Sequence, residues 1–393
     1  MTDARTTRAA LDGRVVNVYC TANRHLGPTL SFTNKFLAHY HRSSRPQITN
    51  LFYGPASAHD LKLYESECGG PGIANLHVPD AARVCGLLGR SKASLVIVHG
   101  QFLNGFWKAI CRRPRLWRRT VLVFWGGDLA GLVQSHQLSG KGRSVRQRLL
   151  FRAILPGVLR RFRLVGVLMP YDKAILLAHF PRLGNVFRTP YPLPDWLAET
   201  EVCRTQPGKA SAGRTVVCGN SGHPNNNHIE LIDYARKLDD GETRWLFPLS
   251  YGPLDHIALV CGYGNCILGR AFVPLRQTTP LQEYSETIRS AHALVYNHTL
   301  ENRSQQGMGN ICLAMVHGLK VYMRSDSPLY RQLRDWGAIV YDTLQLLGDD
   351  KVSFFLQMSE GDRETNRRVL RAHFSEGTAL QHWEDAFRAT SPS

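Results

Sequence analysis

From Arg14 onward the sequence alternates short Val- and Leu-rich runs with longer stretches of helical periodicity, and after one interruption it starts the same alternation again. The first set of runs is Arg14 to Cys20, Gln47 to Tyr53, Ser94 to His99, Thr120 to Trp125 and Leu164 to Met169. None shows strict polar alternation, which suits strands buried on both faces of a parallel sheet with crossover helices between them. Pro190, Pro192 and Pro194, then the Gly- and Ser-containing stretch Thr205 to Gly213, break the pattern and predict a linker. The second set is Thr215 to Gly219, Arg244 to Leu249, Ile267 to Val273, Ala293 to Asn297 and Lys320 to Met323. The expectation is an α/β chain of two Rossmann-like domains, 1–195 and 196–375, closed by a helix and tail over 376–393. Its length of 393 residues exceeds what one hydrophobic core organises. In the closing segment Leu380, Trp383, Ala386 and Phe387 share one helical face, so that helix is expected to dock.

The nine cysteines are scattered without paired or metal-type spacing, as in a reducing compartment. Residues 1–14 lack the apolar core of a signal peptide, and no later run approaches the roughly 18 apolar residues of a membrane span. The chain is therefore expected to be neither exported nor membrane-spanning. Its formal charge of +17 is unevenly placed. Arg112, Arg113, Arg115, Arg118 and Arg119 surround Trp117, and a second belt from Lys141 to Arg163 includes Arg146, Arg148, Arg152, Arg160 and Arg161. With Leu149, Leu150, Phe151, Ile154, Leu155, Leu159 and Phe162 between its arginines, this belt reads as a basic helix with one apolar face, interrupted near Pro156. Two readings are open. Such a helix can lie on an anionic membrane, where each basic residue contributes about 1 kcal/mol, or its apolar face packs on a core beneath solvated arginines. A nucleic-acid groove fits less well, because aromatic side chains that would stack on bases are not interleaved in the belt.

Ligands of open parallel sheets collect where strands end, which singles out five places. His99-Gly100-Gln101-Phe102 ends one run, and Trp125-Gly126-Gly127-Asp128-Leu129 ends the next. Asp128 suits either a helix cap or a carboxylate base, and His99 either a hydrogen-bonded turn residue or an acid or base. Gly219, Asn220, Ser221 and Gly222, with Asn226 and His228 beyond them, offer donors to a phosphate at a helix entrance, though an ordinary polar loop uses the same residues. Tyr251 and Gly252 form the fourth place. The fifth runs from His298 through Glu301, Gln305, Gln306, Gly307, Gly309 and Asn310, where the glycines leave backbone open for a diphosphate at the next helix. Neither a GxGxxG fingerprint nor a P-loop is present.

Taken together, HGQF at His99 to Phe102, WG-small-DL at Trp125 to Leu129, GNS with N-x-H-I at Gly219 to Ile229, the Tyr251-Gly252 pair and QQGxG at Gln305 to Gly309 resemble glycosyltransferase family 56. These are the bacterial 4-acetamido-4,6-dideoxy-D-galactose (N-acetylfucosamine) transferases of enterobacterial common antigen assembly. The sequence departs from their pattern at Glu301 to Ser304, which is longer, and at Ser304, where an arginine commonly precedes the paired glutamines. The resemblance implies a GT-B fold, two facing Rossmann-like domains with a cleft between them. It also implies transfer of an amino-deoxy-sugar from a dTDP-sugar to a polyprenyl-diphosphate-linked saccharide on the inner face of the bacterial inner membrane. Another nucleotide sugar on the same fold, serving O-antigen, capsule or exopolysaccharide, is the alternative. A basic nucleic-acid-binding protein or a non-catalytic binding protein is the alternative of another class.

Within that reading Gly219 to Gly222 and Gln306 to Asn310 hold the diphosphate, Tyr251 lines the base or ribose pocket, and Asp128 or His99 takes the acceptor proton. Glu301 is a third catalytic candidate, with contact of Glu301 and His298 to the sugar as the alternative. No DxD motif occurs where a metal-dependent donor site would need one, and no cofactor or metal is expected.

Overall fold

The computed structural model describes residues 11–20, 32–37, 47–53, 72–78, 80–100, 104–137, 150–193, 214–277, 281–298, 307–347 and 354–390. The chain divides into two compact units, Met1–Pro192 with Glu376–Ser393, and Leu193–Ser375. The expected linker at 205–213 lies outside the described residues.

In the first unit seven parallel strands are β1 (Val15–Cys20), β2 (Ile48–Tyr53), β3 (Ile73–Val78), β4 (Leu95–His99), β5 (Thr120–Phe124), β6 (Leu164–Val167) and β7 (Val186–Arg188). Their spatial order is β3-β2-β1-β4-β5-β6-β7. Because the order reverses between β1 and β4, a crevice opens there at the carboxyl edge. One face of the sheet packs on α1 (Ala81–Arg90), α2 (Asn104–Cys111), α3 (Gly127–Gln137) and α4 (Pro170–His179), through residues such as Val84, Trp107, Leu132 and Leu176. The helix starts follow local chemistry: Asp80 caps α1 by accepting the Arg83 N–H at 2.7 Å, and Pro170 opens α4, where a missing N–H costs nothing.

The opposite face buries Val15, Ile48, Leu95, Ile97, Val121, Val123 and Leu164 against the short helix at 32–37 and the closing helix. A buried amide ladder crosses this face. Asn17 Nδ2 donates to Asn50 Oδ1 and Asn34 Oδ1, each at 3.2 Å, and Asn50 Nδ2 donates to Asn75 Oδ1 at 3.0 Å. Those three strand residues are register partners, so a one-residue slip would turn every amide away from its neighbour.

The second unit repeats the design with β8 (Arg214–Cys218), α5 (His228–Leu238), β9 (Thr243–Pro248), α6 (Leu254–Leu268), β10 (Phe272–Leu275), α7 (Leu281–Arg289), β11 (Ala293–Tyr296), α8 (Met308–Val316), β12 (Lys320–Met323), α9 (Pro328–Asp335), β13 (Tyr341–Asp342) and α10 (Glu360–Phe374). The strand order β10-β9-β8-β11-β12-β13 places its reversal between β8 and β11. The run expected at Ile267 to Val273 is corrected: Ile267 and Leu268 finish α6, Gly269 ends it at φ +54, and the strand begins at Phe272.

The closing helix α11 (Glu376–Ala389) docks, as its apolar stripe requires, and it belongs to the first unit. Ala379, Trp383, Ala386 and Phe387 are fully buried.

Candidate active site

In the second unit the loop after β8 is laced to itself. The Gly219 N–H donates to the Val295 carbonyl at 2.9 Å, which ties the loop to the neighbouring strand across the reversal point. The Asn220 N–H donates to Asn226 Oδ1 at 2.9 Å, while Asn226 Nδ2 donates to Ser221 Oγ at 3.1 Å and the His223 carbonyl at 3.3 Å. Ser221 and Asn226 are therefore corrected from phosphate contacts to residues that shape the loop, since both are buried and the Asn226 amide is used at both ends. His228 is also buried. Its Nδ1 lies 3.2 Å from His256 Nε2, and burial first, then His256, holds its pKa down at about 4, so it stays neutral.

The loop after β9 meets the first loop closely. The Gly222 N–H donates to the Tyr251 carbonyl at 2.7 Å, and at Gly252, with φ +140, a Cβ would lie 2.5 Å from the Gly222 carbonyl. No side chain fits there. Tyr251 itself is half in solvent, with its ring 6.0 Å from that of His223. After β11 the His298 ring stands edge-on to Tyr296 at 5.0 Å. Gly307 enters α8 at φ +78 against the Tyr296 ring, where a Cβ would clash at 2.1 Å. By contrast, a Cβ on Gly309 would meet nothing within 4 Å among the described residues, which leave one side of the first turn of α8 open. Asn310 donates its amide to the Tyr284 hydroxyl at 3.0 Å, which assigns it to shaping that turn. Glu301, Gln305 and Gln306 lie outside the described residues.

Sequence reasoning missed one group here. The Glu230 carboxylate, on the first turn of α5, accepts from Asn297 Nδ2 at 2.8 Å and from the Tyr234 hydroxyl, with Arg324 Nη1 at 3.6 Å. Asn227, left-handed at φ 50, donates its amide to the Asn297 carbonyl at 2.6 Å. Three strand ends are thus cross-linked around the β8–β11 crevice.

In the first unit, Asp128 ties the end of β5 to the start of α3. Its Oδ1 accepts the Trp125 N–H at 2.7 Å and the Leu129 N–H at 3.0 Å, and the residue is buried. A second buried carboxylate, Asp172, sits on the first turn of α4 after the adjacent strand β6. His99 lies flat against Tyr19, with centroids 4.4 Å apart and planes 6° apart, and its Nδ1 is 2.6 Å from the Tyr191 hydroxyl. Complete burial lowers its pKa to about 3. The expectation that His99 takes up a proton is corrected on that ground, because the imidazolium a base must become is not tolerated there.

The arginine belt also changes character. Residues 141–149, including Arg146 and Arg148, lie outside the described residues. Leu150–Ile154 forms one π turn and Leu155–Leu159 a short helix with Pro156 in its first turn. Leu155, Val158, Leu159 and Phe162 belong to the core, so most of the stripe expected to face a bilayer is packed inside, with Ile154 exposed. Arg152, Arg160 and Arg161 are exposed. Arg160 Nε and Arg161 Nη1 donate to the Pro156 and Gly157 carbonyls at 3.3 Å, capping the helix end, and the Arg161 guanidinium lies 5.7 Å over the Trp117 ring. The two basic clusters therefore join at the amino edge of the sheet, where β5 and β6 begin.

A family model described as 4-alpha-L-fucosyltransferase glycosyl transferase group 56 matches residues 81–390, most of the chain and all the strand-end loops described above. The chain belongs to glycosyltransferase group 56. It is an enzyme that transfers a sugar, on the GT-B fold. Solved structures similar in fold to this group 56 chain include the Anabaena protein Alr3699/HepE in complex with UDP and glucose, at 12% identity and a TM-score of 0.67, covering 96% of this chain and 99% of that one. The E. coli protein described as trehalose-6-phosphate bound with UDP-2-fluoro glucose is 11% identical with a TM-score of 0.64, covering 97% and 99%. A glycosyltransferase from Rickettsia africae is 10% identical with a TM-score of 0.62, covering 96% and 98%. No curated protein matches the group 56 chain in sequence. Among the described residues no helix is long and apolar enough to cross a membrane.

Proposed function

We propose that this group 56 enzyme transfers an amino-deoxy-sugar of the N-acetylfucosamine type from a dTDP-sugar to a polyprenyl-diphosphate-linked saccharide. The observation that carries the donor half is the crevice between β8 and β11, where the Gly219 loop, Tyr251 and the open first turn of α8 stand at one sheet edge. Backbone N–H groups there meet the charge that develops on a departing diphosphate. Tyr251 and His298 are assigned to the nucleoside and the sugar. The acceptor hydroxyl attacks the anomeric carbon, the bond from that carbon to the diphosphate breaks, dTDP leaves with the electron pair, and the hydroxyl proton passes to Asp128.

A panel of dTDP, UDP, GDP and CMP tests the donor, since a ligand at 100 times its Kd adds about 2.7 kcal/mol of stability. A shift largest for dTDP supports this reading. The UDP complexes of structures with this fold favour a UDP-sugar as the second reading, and a shift largest for UDP would select it.

Gly309→Val is expected to weaken nucleotide binding at least tenfold, about 1.4 kcal/mol, because a branched side chain fills the open side of the α8 turn. Calorimetry on the folded variant is the check, and an unchanged Kd would place the diphosphate elsewhere.

A lipid-linked acceptor also requires a membrane-facing surface. We assign it to the joined clusters of Arg112, Arg115, Arg118, Arg152, Arg160 and Arg161, acting by headgroup attraction alone. Arg112, Arg115, Arg118 and Arg152 replaced by glutamine should release the protein from anionic vesicles, and so should added salt, which screens over about 8 Å at physiological strength. These four leave the Arg160 and Arg161 helix caps in place. Co-sedimentation insensitive to both treatments would leave the arginines as a solvated surface.

A further inference from the structure

His99, Tyr191 and Trp125 form a chain of hydrogen bonds whose direction is fixed by chemistry. The Trp125 indole N–H, which can only donate, points at the Tyr191 oxygen at 3.3 Å. That oxygen also lies 2.6 Å from His99 Nδ1, and among the described residues this is the one contact in which the tyrosine proton can find an acceptor. If Nδ1 also donated, this part-buried hydroxyl would receive two bonds and leave its own proton without an acceptor among the described residues, at a cost of about 1–3 kcal/mol where water is excluded. The hydroxyl therefore donates to Nδ1. A neutral imidazole that accepts at Nδ1 carries its proton on Nε2.

His99 Nε2 is buried and has no hydrogen-bond partner among the described residues. The ring cannot turn to find one, because Tyr19 covers one face at 4.4 Å and Trp383 stacks at 6.3 Å. A rigid donor left without an acceptor thus sits at the end of β4, beside the β1–β4 reversal where a ligand of this sheet would lie. Its loss of solvation is recovered only when an oxygen arrives.

We infer that His99 acts as a hydrogen-bond donor locked in its Nε2–H tautomer, completed by an oxygen of the acceptor substrate, and that Tyr191 is the positioning residue that sets the lock. This rests on the glycosyl-transfer reading for the identity of the ligand, but the tautomer does not. The depressed pKa of His99 agrees with a ring that stays neutral throughout the working range.

Protein labelled with 15N-histidine, observed through two-bond proton–nitrogen correlations, tests both halves. His99 is identified by the signal lost in His99→Asn. The expected pattern from about pH 6 to 8, around the ordinary histidine pKa, is a neutral Nε2–H tautomer that does not titrate. An Nδ1–H pattern or an imidazolium in that range overturns the lock. Tyr191→Phe should convert the single tautomer into a mixture and lower kcat/KM for the acceptor about tenfold, with KM for the nucleotide sugar unchanged. A purely structural tyrosine would leave the tautomer where it was, and that result also overturns the assignment. N-acetylglucosamine should move the Nε2–H signal if the partner is a sugar hydroxyl, and inorganic pyrophosphate if it is a diphosphate oxygen. Movement with neither overturns the ligand half, whereas failure of transfer from dTDP-sugars with the lock intact counts only against the donor assignment.

Discussion

Replacing Asp128 by asparagine is expected to slow glycosyl transfer by about two to four orders of magnitude, the usual range for a lost general base. Dissociation constants for dTDP should not change, because the loops proposed to hold the nucleotide belong to the second unit. The substitution separates the two uses of this side chain. An asparagine Oδ1 still accepts the Trp125 and Leu129 N–H groups, so the turn between β5 and α3 keeps its anchor, while the charge and basicity are gone. Asp128→Ala removes the anchor as well and should add about 1 kcal/mol of instability, as loss of a helix-start carboxylate does. Asp172→Asn is the control: it alters the other buried carboxylate at this sheet edge, and transfer should persist. Near-normal turnover in Asp128→Asn would reduce Asp128 to an anchor, and loss confined to Asp172→Asn would move the base to α4.

Most strands were legible in the sequence because their burial on both faces leaves nearly unbroken apolar runs, as at Leu95–His99 and Thr120–Phe124. Three were not. In β3 the ladder residue Asn75 and His77 interrupt the apolar signal, while β7 and β13 have three and two residues, too few for any periodicity. The strand-end rule located the loops at Gly219, Tyr251 and His298, since topology alone puts them there. It did not distinguish residues facing a ligand from residues building the loop. Ser221 and Asn226 have the composition of phosphate binders, yet their groups bond each other across five residues, which no local pattern announces. Tyr191 carried no local signal, and the helical stripe that marked Trp383 as docked gave no sign of its contact with His99, because the two reach His99 from 92 residues away in one case and from the closing helix in the other.

Trp383→Ala should be the most destabilising single change in the first unit. The closing helix is the main cover for a sheet face that would otherwise expose Leu95, Ile97, Val121, Val123 and Leu164, and Trp383 is the centre of that cover. Its ring is fully buried and packs on Phe36 at 5.3 Å and Phe32 at 6.2 Å, and its indole N–H donates to the Pro190 carbonyl at 2.9 Å. Truncation removes the largest side chain of this layer, a loss of about 3–5 kcal/mol. It also leaves the buried Pro190 carbonyl without its donor, worth a further 1 kcal/mol or about that. Two compact units need not unfold together, so the measurement is a urea titration followed separately by a probe in each. The first-unit transition should move to markedly lower urea, while the second keeps its midpoint and its stabilisation by dTDP. Trp383→Phe, which keeps a ring and loses the N–H, should recover more than half of the loss. Equal shifts in both transitions would mean that the closing helix stabilises the chain as one cooperative block, and an unshifted first transition would show that the 32–37 helix covers this face without it.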